Sequence, residues 1–211
     1  MTSVGVEIED AGALNTADPA LEARPPVVPE FDIVPRAGIV IVAVVTVALV
    51  VVVALNTLWP LMFLHVVGGA GWTVVDLFVG LLVGPIIGRL PLQSRIDFVT
   101  RFLPKMVVLM PMLVAVTLTG GWQLATHLGD NLTSSPNHGW LVASYIIVGV
   151  MTVIALGLLE PANIAVLTEL KKPRPDGTVI DRLMKRFVYC SGILGIMQVA
   201  TFVIMTHLAS S

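Results

Sequence analysis

The feature that most constrains this chain is an apolar run that extends almost without interruption from residue 37 to residue 90. A helix needs roughly 20 apolar residues to cross the hydrocarbon core of a bilayer, so this run is about twice as long as one crossing requires. Asn56, Trp59 and Pro60 offer a turn within it, and Trp suits the headgroup level of a membrane. The run therefore predicts two consecutive transmembrane helices, over residues 37–55 and 58–88.

Further apolar segments predict three more helices, over residues 102–127, 139–170 and 187–208. The 211 residues are 56% hydrophobic and 12% charged, which is far from the composition of a soluble domain. We therefore predict an all-α integral membrane protein, a five-transmembrane-helix bundle over residues 36–211. Pro111 is expected to kink the third helix, and Pro161 to break the fourth beside Glu160.

Residues 1–35 have no apolar periodicity and are rich in Ala, Pro and acidic residues, which predicts a disordered cytoplasmic tail. All 12 Lys and Arg residues lie in this tail or directly after it at Arg36, around the connection between the second and third helices, or in the connection between the fourth and fifth. Because Lys and Arg accumulate in cytoplasmic loops, the N-terminus is predicted inside and the C-terminus outside a multi-pass inner (plasma) membrane protein.

A stripe of unusual residues runs along the second helix. His65, Gly68, Gly69, Trp72 and Asp76 recur at helical spacing and share one face. An imidazole and a carboxylate are costly in hydrocarbon, so they normally face the bundle interior and mark a functional site. The sequence predicts a site at His65, lined by Gly68, Gly69 and Trp72.

The predicted topology brings every histidine of the chain toward the external side. Neutral imidazole binds copper and haem iron alike, while histidines at helix ends also occur simply as interfacial residues. His65 is the principal candidate ligand and His127, at a similar depth, is the second. The secondary candidates are His138, His207 and Met62.

Asp76 and Glu160 form a second candidate site, since both are predicted at similar depth in the inner half of the bilayer. Intramembrane acids act as proton relays or cation sites. We predict that the two are coupled and that at least one is protonated at neutral pH. Structural hydrogen bonds to Asn163, Gln198 or a threonine remain the alternative.

Several short motifs follow one another in a recognisable order: Leu64-His65 with Trp72, Met110-Pro111, Thr119-Gly120-Gly121-Trp122 and Gly139-Trp140-Leu141. This order resembles the four-helix membrane superfamily of CopD-type copper-resistance proteins and HemJ-type protoporphyrinogen oxidases. The resemblance covers the second to fifth helices, so the first helix and the tail would be additions. It implies that His65 ligates haem b. Where the HemJ type has a His and a ligating Lys, this chain has Val142 and Ser144, which argues against protoporphyrinogen oxidation.

Different classes of function stay open. The first is a protein that binds haem b, or copper, near the outer leaflet and takes part in an electron-transfer system. The second is a ligand-free accessory or structural subunit, and copper or cation transport is a further alternative. A stand-alone enzyme is not favoured, because no nucleophile or general acid–base set is evident. The expected partners are the lipid bilayer and a homo-oligomer or larger membrane complex, with no nucleic acid.

Overall fold

The computed structural model describes residues 27–128 and 137–210, and within these two ranges the chain is helical apart from residues 27–35 and its turns, with no β-strand. The prediction of an all-α chain with five helices long and apolar enough to cross a membrane is confirmed. These helices are α1 (Arg36–Leu55), α2 (Leu58–Ile87), α3 (Leu92–Leu128), α4 (His138–Leu170) and α5 (Gly177–Ser210). Most of the predicted tail, residues 1–26, lies outside the described ranges.

The chain turns between α1 and α2 at Asn56, whose φ of 46° and ψ of 42° are left-handed. Asn tolerates this conformation better than most residues. Its backbone N–H donates to the carbonyl of Val52, which caps the end of α1.

Two helices begin well before the predicted residue. α3 starts at Leu92, within the segment that we expected to be a polar connector, and α5 starts at Gly177, within the expected basic loop. In α3 the apolar residues Ile96, Val99 and Leu103 recur at helical spacing and are buried, while the charged residues between them lie on the outer face. The charged residues of this segment suggest a loop, but its buried residues keep the spacing of a helix, so the helix includes the segment.

Polar contacts fix these early helix starts. The Asp176 carboxylate accepts hydrogen bonds from the Thr178 hydroxyl at 2.7 Å and from the Thr178 backbone N–H at 2.8 Å, which caps α5. These bonds, together with one from the Val179 N–H, lower the pKa of Asp176. Arg95 of α3 forms an ion pair of 2.9 Å with Asp181 of α5, so the two helix starts lie side by side.

Two of the helices contain a widened, π-helical segment beside a carboxyl residue. In α2 it covers Phe78–Val83, just after Asp76, and in α4 it covers Ala155–Leu159, just before Glu160. Each segment precedes a proline, which cannot donate its backbone hydrogen bond. α4 therefore continues past Pro161 through a local widening, and the predicted break at Glu160 is wrong. Such segments are frequent at functional sites.

α1 lies at the edge of the bundle. Among its residues, all of which are described, Gly38 is the one that is buried, and it packs against Val108 of α3. Residues 27–35 also contact the bundle: Gln93 exchanges hydrogen bonds with the backbone of Val27, and Phe31 lies 5.3 Å from the Lys171 ammonium. The last part of the predicted tail is thus packed against the helices.

Cross-helix contacts define two ends of the bundle. The Arg95–Asp181 ion pair and the Phe31–Lys171 contact lie at what we call the basic end. At the other end, which we call the histidine end, His65 contacts α3, and His207 stacks on Trp140 with ring centroids 4.4 Å apart.

Candidate functional site

A cavity of about 590 Å³ opens between α2, α3, α4 and α5 at the histidine end. Apolar side chains make up most of its walls, and His65 of α2 lies on it together with Thr117 and Trp122 of α3. Ser144 of α4 and Met205 of α5 also line it. A cavity of this size falls within the roughly 300–1,000 Å³ of typical small-molecule and cofactor sites.

His65 is held in a defined orientation on this cavity. Its Nδ1 lies 2.9 Å from the backbone carbonyl oxygen of Thr117, and because a carbonyl can only accept, Nδ1–H is the donor. In the neutral ring Nε2 then carries the lone pair. No hydrogen bond to Nε2 occurs among the described residues. A ring nitrogen fixed by a backbone carbonyl, with the other nitrogen free, is the usual arrangement of a metal-ligating histidine.

Two glycines of α3 form the seat of His65. A Cβ atom added to Gly120 would lie 3.1 Å from the backbone nitrogen of His65, and one added to Gly121 would lie 2.7 Å from Nδ1 and Cε1 of the ring. A third close approach joins Gly68 to Thr117, where an added Cβ would lie 2.8 Å from the Thr117 hydroxyl oxygen. α2 and α3 therefore approach so closely around His65 that only glycine fits.

The other histidines do not join His65. His127 is exposed and lies six residues beyond Gly121, roughly 9 Å further along α3 and turned away from the face toward α2. It does not line the cavity as the described residues form it, so the structure gives no support to the second ligand position that we predicted for it. His138 is also exposed, and His207 pairs with Trp140.

Metal ligands are correspondingly sparse. Across residues 27–128 and 137–210, no three His, Cys, Asp or Glu residues form a group that could hold a metal ion. Met62, a secondary candidate, does line the cavity with His65, and so does Met205, which the sequence did not single out. Met62 belongs to the same helix as His65, one turn away, whereas Met205 comes from α5.

The polar stripe of α2 continues into the bundle. Gly68 and Trp72 are buried, and Asp76 is 0% exposed. The side-chain amide Nε2 of Gln198, on α5, donates to Asp76 Oδ2 at 3.0 Å. The indole N–H of Trp72, one turn away on α2, is buried and has no hydrogen-bond partner among the described residues. Asp76 thus has a direct partner on another helix.

Glu160 lies on a different helix, α4, where it is 8% exposed, and Asn163 three residues further along is fully buried. The side-chain oxygen and nitrogen atoms of both residues have no hydrogen-bond partner among the described residues. No hydrogen bond joins Asp76 to Glu160 in the described part of the chain. Their coupling stays a prediction, and each carboxyl group has its own amide neighbour.

A smaller cavity of about 150 Å³ lies between these sites. Residues of four helices line it, and they include His65, Thr117, Trp72, Gln198, Thr201 and Met151. It shares His65 and Met205 with the larger cavity. The Asp76–Gln198 pair is therefore adjacent to a space that reaches His65.

Known proteins add no further constraint: neither a protein-family model, nor a curated protein, nor a solved structure matches this chain.

Proposed function

We propose that this chain is a multi-pass integral membrane protein that binds haem b at the histidine end, where His65 Nε2 would hold the iron. The observation that carries the proposal is the hydrogen bond from His65 Nδ1–H to the Thr117 carbonyl, 2.9 Å long. It leaves Nε2 available beside a mostly apolar cavity of about 590 Å³. The resemblance to the CopD and HemJ families points to the same residue.

The five long helices support membrane insertion. Their mean hydropathy runs from 1.9 to 3.3, and many of their large apolar side chains are exposed on the outside of the bundle. In water such a surface would cause aggregation, whereas in lipid it is the expected surface. Since Lys and Arg collect at the basic end, we infer that this end is cytoplasmic, in the plasma membrane, and that the histidine end is external.

Haem is favoured over copper by the number of ligands that the chain supplies. A copper site draws on several closely spaced His, Cys or Met ligands, while haem iron already has four nitrogen ligands and needs one or two from the protein. The described residues hold no group of three His, Cys, Asp or Glu side chains. A single oriented histidine on an apolar cavity fits a porphyrin better than a bare ion.

A second iron ligand would be supplied by a residue that lines the cavity from another helix. Met62 does not meet this condition, because it is on the same helix as His65, one turn away. Ser144 stands where the HemJ type has its lysine, and its hydroxyl already donates to the Leu141 carbonyl at 2.9 Å. Met205, on α5, is the remaining sulfur ligand on the cavity, and we propose it for this position.

In this arrangement the chain's own residues have distinct tasks. Thr117 orients His65, Gly120 and Gly121 let α3 approach it, and the apolar walls exclude water. Haem held between histidine and a thioether carries single electrons, which suits a component of an electron-transfer system.

The direct test is an absorption spectrum of the detergent-purified protein from haem-replete cells, with iron and copper analysis of the same sample. We expect a Soret band and close to one iron per chain. A colourless, metal-free preparation that also fails to bind added haemin would reject the proposal and favour a ligand-free accessory subunit. Copper without a Soret band would favour a copper protein.

The topology has its own test. Reporter domains inserted after Pro175, in the α4–α5 turn, and at Asn137, before α4, are expected to report a cytoplasmic and an external position respectively. The physical reason is the concentration of Lys and Arg around the first site and their absence from the sequence around the second. An external signal at Pro175 or a cytoplasmic one at Asn137 would contradict the orientation.

The seat of His65 gives a further prediction. Gly121→Ala places a methyl group where the imidazole ring now lies, so the ring must shift and lose its bond to Thr117. Loss of such an orienting contact typically weakens a metal site about 10- to 100-fold, and haem titration should detect this. Gly69→Ala is the control, because its Cβ would meet the Thr117 methyl group at an ordinary 3.6 Å. Equal haem affinity in the two variants would count against this role of Gly121.

A further inference from the structure

Asp76 and Gln198 leave a specific imbalance of hydrogen-bonding atoms in the centre of the bundle. They are 0% and 3% exposed respectively, and the amide donates to Asp76 Oδ2 at 3.0 Å. Two acceptors then remain, Asp76 Oδ1 and Gln198 Oε1, and no donor of the described chain bonds to either. An ionised carboxylate would leave both a buried charge and two unsatisfied oxygens.

One proton provides for both oxygens, while the buried indole N–H of Trp72, one turn away on α2, also has no hydrogen-bond partner in the described chain. A hydrogen on Asp76 Oδ1 converts that oxygen into a donor, and the acceptor still lacking a partner on the neighbouring group is Gln198 Oε1. A carboxylic acid and a primary amide pair in this way through two antiparallel hydrogen bonds, with Gln198 donating one and Asp76 donating the other. The pair is then neutral and satisfied, as a dry site requires.

We infer that Asp76 and Gln198 form an intramembrane proton-binding site, in which Asp76 is protonated at neutral pH and exchanges its proton through the cavity that leads to His65. This inference does not depend on haem binding. The exchange route is the cavity of about 150 Å³, which is lined by Gln198, Trp72 and His65, and also by Thr73 and Thr201.

The surroundings favour a proton over a metal cation. A cation such as Na⁺ or Ca²⁺ needs several oxygen ligands, whereas the buried side chain of Trp72, one turn from Asp76, offers an N–H donor and no oxygen. The groups on the cavity from α3, α4 and α5 are uncharged, and they include Thr117, Met151 and Thr201. His65 is the other titratable side chain on it among the described residues. No fixed positive charge on this wall compensates an ionised Asp76.

The test is infrared spectroscopy of the full-length protein at neutral pH. We expect a C=O stretching band of a protonated carboxyl group that moves to lower frequency in D₂O. Asp76→Asn should remove this band, while Glu160→Gln, the matched control at the second buried carboxyl, should retain it. Asn at position 76 can still form two hydrogen bonds with Gln198, so this variant is expected to fold and to melt at or above the wild-type temperature.

Two further variants test the partner and the route. Gln198→Leu removes the amide donor, so the Asp76 band should persist and move to higher frequency. Thr201→Leu narrows the cavity, and the band should then shift in D₂O more slowly than in the wild type. A wild-type spectrum without the band, a band lost in Glu160→Gln but kept in Asp76→Asn, or a band that needs Na⁺-free buffer to appear would overturn the proton site. An unchanged exchange rate in Thr201→Leu would overturn the route.

Discussion

His65→Ala is expected to abolish the Soret band of the purified protein. Its imidazole lines the large cavity and would ligate the iron in the proposed haem site, and alanine would remove that ligand. His65→Gly offers a sharper version, because it leaves room for free imidazole beside Gly120 and Gly121. Adding imidazole to that variant should restore the band, which absorption spectroscopy measures directly.

Matched controls separate ligation from general damage. His127→Ala and His207→Ala remove exposed imidazoles, one at the end of α3 and one stacked on Trp140, and we expect both variants to keep the wild-type spectrum. Asp76→Asn should also keep it, so the haem proposal and the proton site can fail independently. A full Soret band in His65→Ala would show that haem, if bound, is ligated elsewhere.

The interior face of α2 could be predicted from the sequence because it depends on a single helix. The spacing of His65, Gly68, Trp72 and Asp76 sets one face, and the cost of a carboxylate in hydrocarbon sets its direction. The structure buries Trp72 and Asp76 accordingly. The number of long apolar helices is local information of the same kind.

What escaped prediction depends on how helices meet. The partner of Nδ1 in His65 is the backbone carbonyl of Thr117. Every residue has such a carbonyl, so the sequence of side chains does not indicate which one accepts the bond. A hydrogen bond to Gln198 was one of the predicted alternatives, and the structure shows it at Asp76, but the choice among these alternatives depends on the register of α5 against α2. The motif Gly120-Gly121 was visible, but its contact with the His65 ring required the register of α3. The residue that follows this motif, Trp122, lines the cavity.

The predicted starts of α3 and α5 are wrong for a different reason. The charged residues around Arg95 and Arg182 suggested loops, yet α3 has 37 residues and is therefore about 55 Å long, far beyond the roughly 30 Å of a hydrocarbon core. The helix projects past the apolar region or tilts within it. A prediction from hydropathy alone therefore gives a helix that is too short. The helical spacing of the apolar residues Ile96, Val99 and Leu103, which are buried, was the signal that could have located the start of α3.

Close glycine contacts hold α2 on both sides, against α3 at the histidine end and against α5 nearer the basic end. On the α5 side, a Cβ added to Gly80 would lie 2.6 Å from Cα of Gly192 and 2.7 Å from its backbone nitrogen. Gly80 is one turn from Asp76 on the same face. The spacing of α2 and α5 that brings Gln198 to Asp76 therefore depends on this contact.

Gly80→Ala is accordingly expected to lower the free energy of unfolding substantially. The atoms in its way are backbone atoms, which cannot rotate aside, so the helices must separate, and overpacking of this kind costs about 1–3 kcal/mol. Separation should also lengthen the Gln198–Asp76 bond and shift the Asp76 carboxyl band. Denaturant titration in detergent and infrared spectroscopy measure the two effects.

Gly192→Ala is the matched control within the same contact, because a methyl group added at Gly192 meets no close atom while one added at Gly80 does. A Cβ on Gly192 would meet Cα of Gly80 at 4.0 Å, an ordinary van der Waals distance, so this variant should unfold like the wild type and keep the band in place. Gly149→Ala, which has no described atom within 4 Å of its added Cβ, controls for the change of residue type on a helix.

If Gly80→Ala and Gly192→Ala had equal stability, the register of α2 against α5 would be incorrect. The pairing of Asp76 with Gln198 would then lose its structural basis, because both follow from the same packing of these two helices.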